Sequence, residues 1–245
     1  DEGQFELPEL GPGSRAQLAL QDRYNRWKQA VQAVREQGGN VNEYNDFYLA
    51  EERYWGRVGA QNEAFGQEVE DFVEAVKKDG LTLQDVAEYV YAKHAAERNA
   101  YVAKMRDDME GTGSGMTDEE ADSILIAAEQ SGLEPLLMKH AEKLYEWIDG
   151  TRQVMLENGL ISEAEANSWE GMFTHYVPLR GLEGKEPQGK GTGAGFNIKG
   201  KESKQITGRR SKAKQIIEQI VQDRTKAYIR AGKNEVLRTF LNFAL

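Results

Sequence analysis

An all-α fold of long antiparallel helices, arranged as an elongated bundle, is what this chain predicts, and three observations predict it. Apolar residues recur at helical spacing through most of the length. Gly-Leu joints punctuate those stretches, with Asp79-Gly80-Leu81-Thr82, Ser131-Gly132-Leu133-Glu134 and Asn158-Gly159-Leu160-Ile161-Ser162 sharing one design. The composition, 39% hydrophobic and 29% charged, suits helices with large solvated faces better than a thick sandwich of sheet and helix.

Residues 1–13, with Pro8, Pro12 and three glycines, read as an irregular lead-in. Ser14 is placed to cap a helix running to about Gln37, with Leu18, Tyr24, Trp27, Val31 and Val34 on one face and Gly38-Gly39 ending it. Asn42 is the expected cap of a second helix that continues to Lys78. Its seam includes Tyr44, Phe47, Tyr48, Tyr54, Trp55, Val58, Phe65, Phe72 and Val76, and its aromatic residues are expected in the core. Gly56, Gly59 and Gly66 lie inside this helix at a cost of about 1 kcal/mol each against alanine. Because the periodicity does not break there, they predict close approach of another helix.

At each joint, glycine can take the left-handed closing conformation, and the following leucine can fold back onto the last turn. Thr82 and Ser162 then cap the next helices, Ser162 forming a capping box with Glu165; Thr117 and Glu120 form another. Helices are expected at about 83–106, 118–131, 135–157 and 163–172. Short joints between long helices make consecutive helices antiparallel neighbours. The stretch Gly111-Thr112-Gly113-Ser114-Gly115 reads as a flexible linker; it lacks the lysine and spacing of a phosphate-binding loop, and Asp118, Glu119 and Glu120 would repel an anion.

The stretch from His175 to Gly181 organises the rest. Pro178 cannot donate a backbone hydrogen bond and pushes Val177 toward an extended conformation. The preceding helix should end near Phe173, leaving an apolar strap that crosses the helical body. Beyond it, Gly184, Gly189, Gly191, Gly193, Gly195 and Pro187 mark a loop, and Phe196-Asn197-Ile198 suits a short strand or an anchor. A last helix is expected from about Ser211 to the end. The domain organisation is therefore a lead-in at 1–13, an acidic helical domain at 14–173, strap and Gly/Lys-rich loop at 174–210, and a helix at 211–245 packing on the helical domain. The start at Asp1 and the end at Phe243-Ala244-Leu245, inside an apolar pattern, suggest a fragment of a longer chain.

The net charge of −10 hides a split: residues 183–245 carry 14 Lys+Arg against 6 Asp+Glu, and residues 1–182 carry 17 against 35. A basic segment at 185–214 can meet nucleic acid or dock on the acidic helices. Arg180, Lys199, Lys201, Lys204, Arg209, Arg210, Lys212 and Lys214 are the candidate contacts for either. Only Phe196 interleaves with them, which gives poor support to base stacking. His94 and Glu97, three apart on one helix, can form a proton relay, and with Arg98 they make the candidate site of an enzyme reading. The competing expectation is a buried histidine held by that carboxylate, with Arg98 and Asn99 fixing neighbouring helix ends. With no cysteine and three histidines, thiolate chemistry is excluded and a histidine-rich metal site is not expected. No cofactor, small-molecule substrate or transmembrane span is expected.

Four stretches, in order, carry a resemblance: Tyr91 to Asn99, Gly113 to Asp118, Ser162 to Arg180, and Lys204 to Ser211. Together they resemble a helical region of the large polyvalent proteins of bacteriophages and mobile elements, from about Arg15 onward. The resemblance implies a non-catalytic scaffold or interaction module of a phage internal or ejected protein. It would be packaged in the virion interior and delivered with the genome into the host cytoplasm or envelope. Its partners would be other segments of the parent polypeptide and other virion proteins, with DNA contact and self-association as further options. The resemblance carries no catalytic residue across. The alternatives from other classes are a nucleic-acid-contacting module through 185–214 and an enzyme around His94, Glu97 and Arg98.

Overall fold

The computed structural model describes residues 25–179, 209, 211–213 and 215–244. They form seven α-helices: α1 (Asn25–Glu36), α2 (Phe47–Lys78), α3 (Leu83–Ala103), α4 (Asp118–Gln130), α5 (Glu134–Glu157), α6 (Glu163–Glu170) and α7 (Ile216–Ala244), with a 3₁₀ turn at Asp107–Met109. No strand occurs among the described residues, and the all-α expectation holds. One isolated parallel bridge joins Ser114 to Arg209.

The chain divides into two compact units, residues 1–60 with 232–245, and residues 61–231. In the smaller unit, Phe47 lies edge-on to Phe240 and Phe243, with centroids 5.2 and 4.8 Å apart. Gly232 is required there, since a Cβ would come within 2.5 Å of the Tyr54 ring. The cap of α2 is Asp46, not Asn42. The Asp46 carboxylate accepts from the Leu49 amide at 3.0 Å and pairs with Arg35 at 2.6 Å. Asn42 is held in the preceding turn, its side chain accepting from the Tyr44 amide at 2.9 Å. Tyr44 therefore falls outside the helix, and it and Trp55 are 73% and 60% exposed instead of core.

The larger unit is built around α3. Val86, Tyr89, Val90, Tyr91, Ala92, His94, Ala95, Arg98, Asn99 and Val102 are all buried, more than one face of a helix can supply, so α3 is enclosed rather than laid on a surface. It packs against α4, α5 and the 3₁₀ turn. Phe65, Phe72 and Val76 of α2, Leu144 and Trp147 of α5, and Ile216, Ile217 and Ile220 of α7 complete the core. The Trp147 ring meets Phe65 and Phe72 at 5.2 and 5.1 Å, and its Nε1–H donates to Glu68 at 3.2 Å.

The Gly-Leu joints close as expected. Gly80, Gly132 and Gly159 have φ of 76°, 72° and 66°. The amides of Leu81, Leu133 and Leu160 donate back to Val76, Ala128 and Met155 at 3.1, 3.1 and 2.8 Å, the six-residue closure of a Schellman turn. Gly38-Gly39 closes α1 the same way, with the Gly39 amide donating to Val34 at 2.8 Å. The leucines differ in use: Leu81 enters the core, while Leu133 stays 40% exposed. Thr82, Thr117 and Ser162 each form a capping box, with Asp85, Glu120 and Glu165.

Among the described residues, no other helix approaches Gly56, Gly59 or Gly66. A Cβ at any of them would meet nothing within 4 Å among the described residues. The buried positions of α2 (Phe47, Tyr54, Val58, Phe65, Phe72 and Val76) run along another face, so these glycines point away from the seam. Close approach occurs elsewhere. A Cβ at Gly113 would come within 2.5 Å of Val102, and one at Gly150 within 3.1 Å of the Arg224 guanidinium carbon.

Candidate functional site

Helix α3 presents His94, Glu97, Arg98 and Asn99 toward the strap and the loop at 111–117. His94 and Glu97 share a side of the helix, as their spacing requires, but they do not pair. Glu97 turns its carboxylate to the strap. One oxygen accepts the amides of Thr174 and His175 at 2.8 and 3.2 Å, and the other lies 2.8 Å from Nδ1 of His175. Val177 and Leu179 beyond are buried in the core. Burying two such side chains is worth about 1.5–3 kcal/mol each, so apolar contact and the carboxylate anchor the strap together.

His94 has no exposed surface, and neither ring nitrogen has a hydrogen-bond partner among the described residues. Phe173 and Tyr176 stand edge-on to its ring at centroid distances of 4.9 and 5.5 Å. Burial, then the Arg98 guanidinium and then His175, lower its pKa from 6.5 to about 3, so it is neutral at pH 7. The expectation of a histidine held by the Glu97 carboxylate is corrected: the carboxylate holds His175, because the strap brings backbone donors and an imidazole to it. A relay through His94 and Glu97 has no hydrogen bond to run along. Burial also lowers the Arg98 pKa and raises that of Tyr145 on α5, whose ring lies 5.9 Å from His175.

The stretch at 111–117 is not a solvated linker. Asn99, fully buried, accepts from the Ser114 amide at 2.6 Å and directs its own NH2 at Gly111 O, Met116 O and Asp118 Oδ1 at 3.1, 3.0 and 2.7 Å. Tyr91 donates to Ser114 O at 3.0 Å and accepts from the Ala213 amide at 3.0 Å. Its pKa is raised, chiefly by burial. Gly115, at φ 86°, lies against the Ser211 carbonyl so closely that any Cβ would clash. Ser114 itself is buried, its hydroxyl donating to Met116 O at 2.9 Å.

Of the basic candidates, Arg209 and Lys212 fall among the described residues; Arg180, Lys199, Lys201, Lys204, Arg210 and Lys214 lie outside them, as do the lead-in, the Ser14 cap and the Gly/Lys-rich loop. The Arg209 amide donates to Gly113 O at 3.0 Å. Its guanidinium donates to Leu179 O and Ser211 Oγ, each at 3.1 Å, to Lys212 O at 3.0 Å, and to Ser211 O. Arg209 therefore ties the strap, the loop and residues 211–212 together. Lys212 pairs with Glu120 of α4 at 2.9 Å, and this contact is the first cause of the lowered Glu120 pKa. These contacts, with a left-handed Gln215 at φ 56°, are why α7 begins at Ile216 and not at Ser211.

No group of three or more side chains suited to a metal ion occurs among the described residues, and no helix there is long and apolar enough to cross a membrane. Tyr91 and Ser114 were not singled out from the sequence; Asn99, expected to fix a neighbouring helix end, does reach Asp118 at the start of α4 and also holds the loop before it. One signal for Asn99 was available: asparagine is a poor interior helix residue, and inside an alanine-rich helix it needs a tertiary reason. Compared with family models, curated proteins and solved structures, the chain matches none.

Proposed function

We propose that the chain is a non-catalytic helical scaffold and interaction module of a large phage protein, carried in the virion and delivered with the genome. The observation that carries the scaffold reading is the direction of the polar groups on α3 and around Arg209. Glu97, Asn99, Tyr91 and Arg209 are directed at backbone atoms of the strap, the loop and residues 211–213. Such groups hold segments in place; they do not converge on a reacting atom. The phage assignment is supported by the ordered motifs from Tyr91 to Ser211 alone, and its partners are segments of the parent polypeptide and other virion proteins.

The contacts of Arg209 and Lys212 favour an acidic protein partner over nucleic acid, because one is engaged with carbonyls and the other with Glu120. Binding assays at 50 and 200 mM salt decide between them. The scaffold expects association with parent-chain or virion protein segments and no salt-steep affinity for DNA. A DNA affinity that falls linearly on a log–log salt plot, over several charges, overturns it. The virion assignment is tested by mass spectrometry of purified particles, where peptides of this chain are expected; their absence refutes it.

A further inference from the structure

We infer that the segment from Phe173 to Tyr176 is an acid-sensitive latch, in which uptake of a proton by His94 drives Phe173 and Tyr176 off the imidazole and frees the strap from α3 while the helices stay folded. His94 is fully enclosed. Its ring has no water-accessible surface and no acceptor among the described residues, and Phe173, just before the strap, and Tyr176, at its start, close it in. An imidazolium needs two acceptors or water. The cheapest way to supply them is to lift the covering segment, since the opposite side of α3 is held by the core.

The charged groups around it act in a consistent direction. On α3, Arg98 repels a proton on His94, and the one carboxylate on that side, Glu97, is occupied by the strap. On the strap, His175 adds a further repulsion, and Tyr176 stands with its ring edge-on to the imidazole. From α5, Tyr145 faces His175, and Arg209 lies near enough to Arg98 to act on it. The sign follows: the latched histidine takes a proton only near pH 3, while an exposed one takes it near 6.5, so the latch is fully closed above that range and weakens as pH falls. His94 is the sensor, and Glu97, which holds the amides of Thr174 and His175, is the clasp.

Hydrogen exchange on the full chain tests this, corrected for intrinsic exchange at each pH. The amides of Thr174 and His175, bonded to Glu97, are expected to lose protection about tenfold per pH unit below 6.5, as one-proton linkage requires. Amides of Ala141 and Leu144 on α5 should keep theirs, and His94→Met should make the Thr174 and His175 values flat with pH. Flat wild-type values, an unchanged slope in His94→Met, or parallel loss on α5 would each overturn the latch. If His94→Met does not fold, the ring ¹⁵N shifts of wild-type His94 decide: titration in step with amide opening supports it, and opening with a silent His94 refutes it.

Discussion

Replacing Asn99 probes the clamp on which the loop at 111–117 depends. In Asn99→Ala the losses are unequal. Gly111 O still accepts from the Asp118 amide at 3.2 Å, and Met116 O still accepts from the Ser114 hydroxyl at 2.9 Å. The Ser114 amide, in a residue with no exposed surface, loses its partner at 2.6 Å. One orphaned buried donor costs about 1–3 kcal/mol, and the small cavity adds about 1 kcal/mol, so a loss of roughly 2–4 kcal/mol is expected. Asn99→Asp keeps the acceptor for Ser114 but sets a carboxylate against Asp118 Oδ1 and two carbonyl oxygens. An unpaired buried charge costs about 3–5 kcal/mol, which makes it the worse variant at pH 7. Its folded pKa is raised, so its deficit shrinks as pH falls, because the protonated acid can donate again. Urea denaturation followed by circular dichroism at pH 7 and pH 5 measures both. If the two variants lie within about 0.5 kcal/mol of wild type, the range of an ordinary surface change, the clamp reasoning is wrong.

Tyr91→Phe removes the hydroxyl that accepts from Ala213 and donates to Ser114 O, and should cost about 1–3 kcal/mol, with faster hydrogen exchange at the Ala213 amide as the local signature. Gly56→Ala, Gly59→Ala and Gly66→Ala should each stabilise α2 by up to about 1 kcal/mol, read as a rise in thermal midpoint, since each Cβ meets open space in a helix. Gly115→Ala should do the reverse, because φ is 86° and the Ser211 carbonyl occupies the position of its Cβ; equal effects at Gly56 and Gly115 would refute the assignment of which glycines are packed.

Local chemistry was legible in the chain itself. The Gly-Leu joints, the capping boxes at Thr117 and Ser162, and the non-helical run through Pro178 follow from residue preferences that act within a few positions, so the all-α class and most helix bounds could be read directly. Tertiary structure decided what those preferences leave free. It moved the α2 cap to Asp46, left Gly56, Gly59 and Gly66 facing open space, and delayed α7 to Ile216. It also chose the partner of Glu97: spacing along α3 offers His94, but the strap delivers His175 and two backbone amides from nearly eighty residues away. Hydrogen-bond partners at such separation depend on where whole segments settle. For the same reason a glycine- and serine-rich run that reads as a linker became a buried loop, once Asn99 and Tyr91 supplied the bonds its backbone needs.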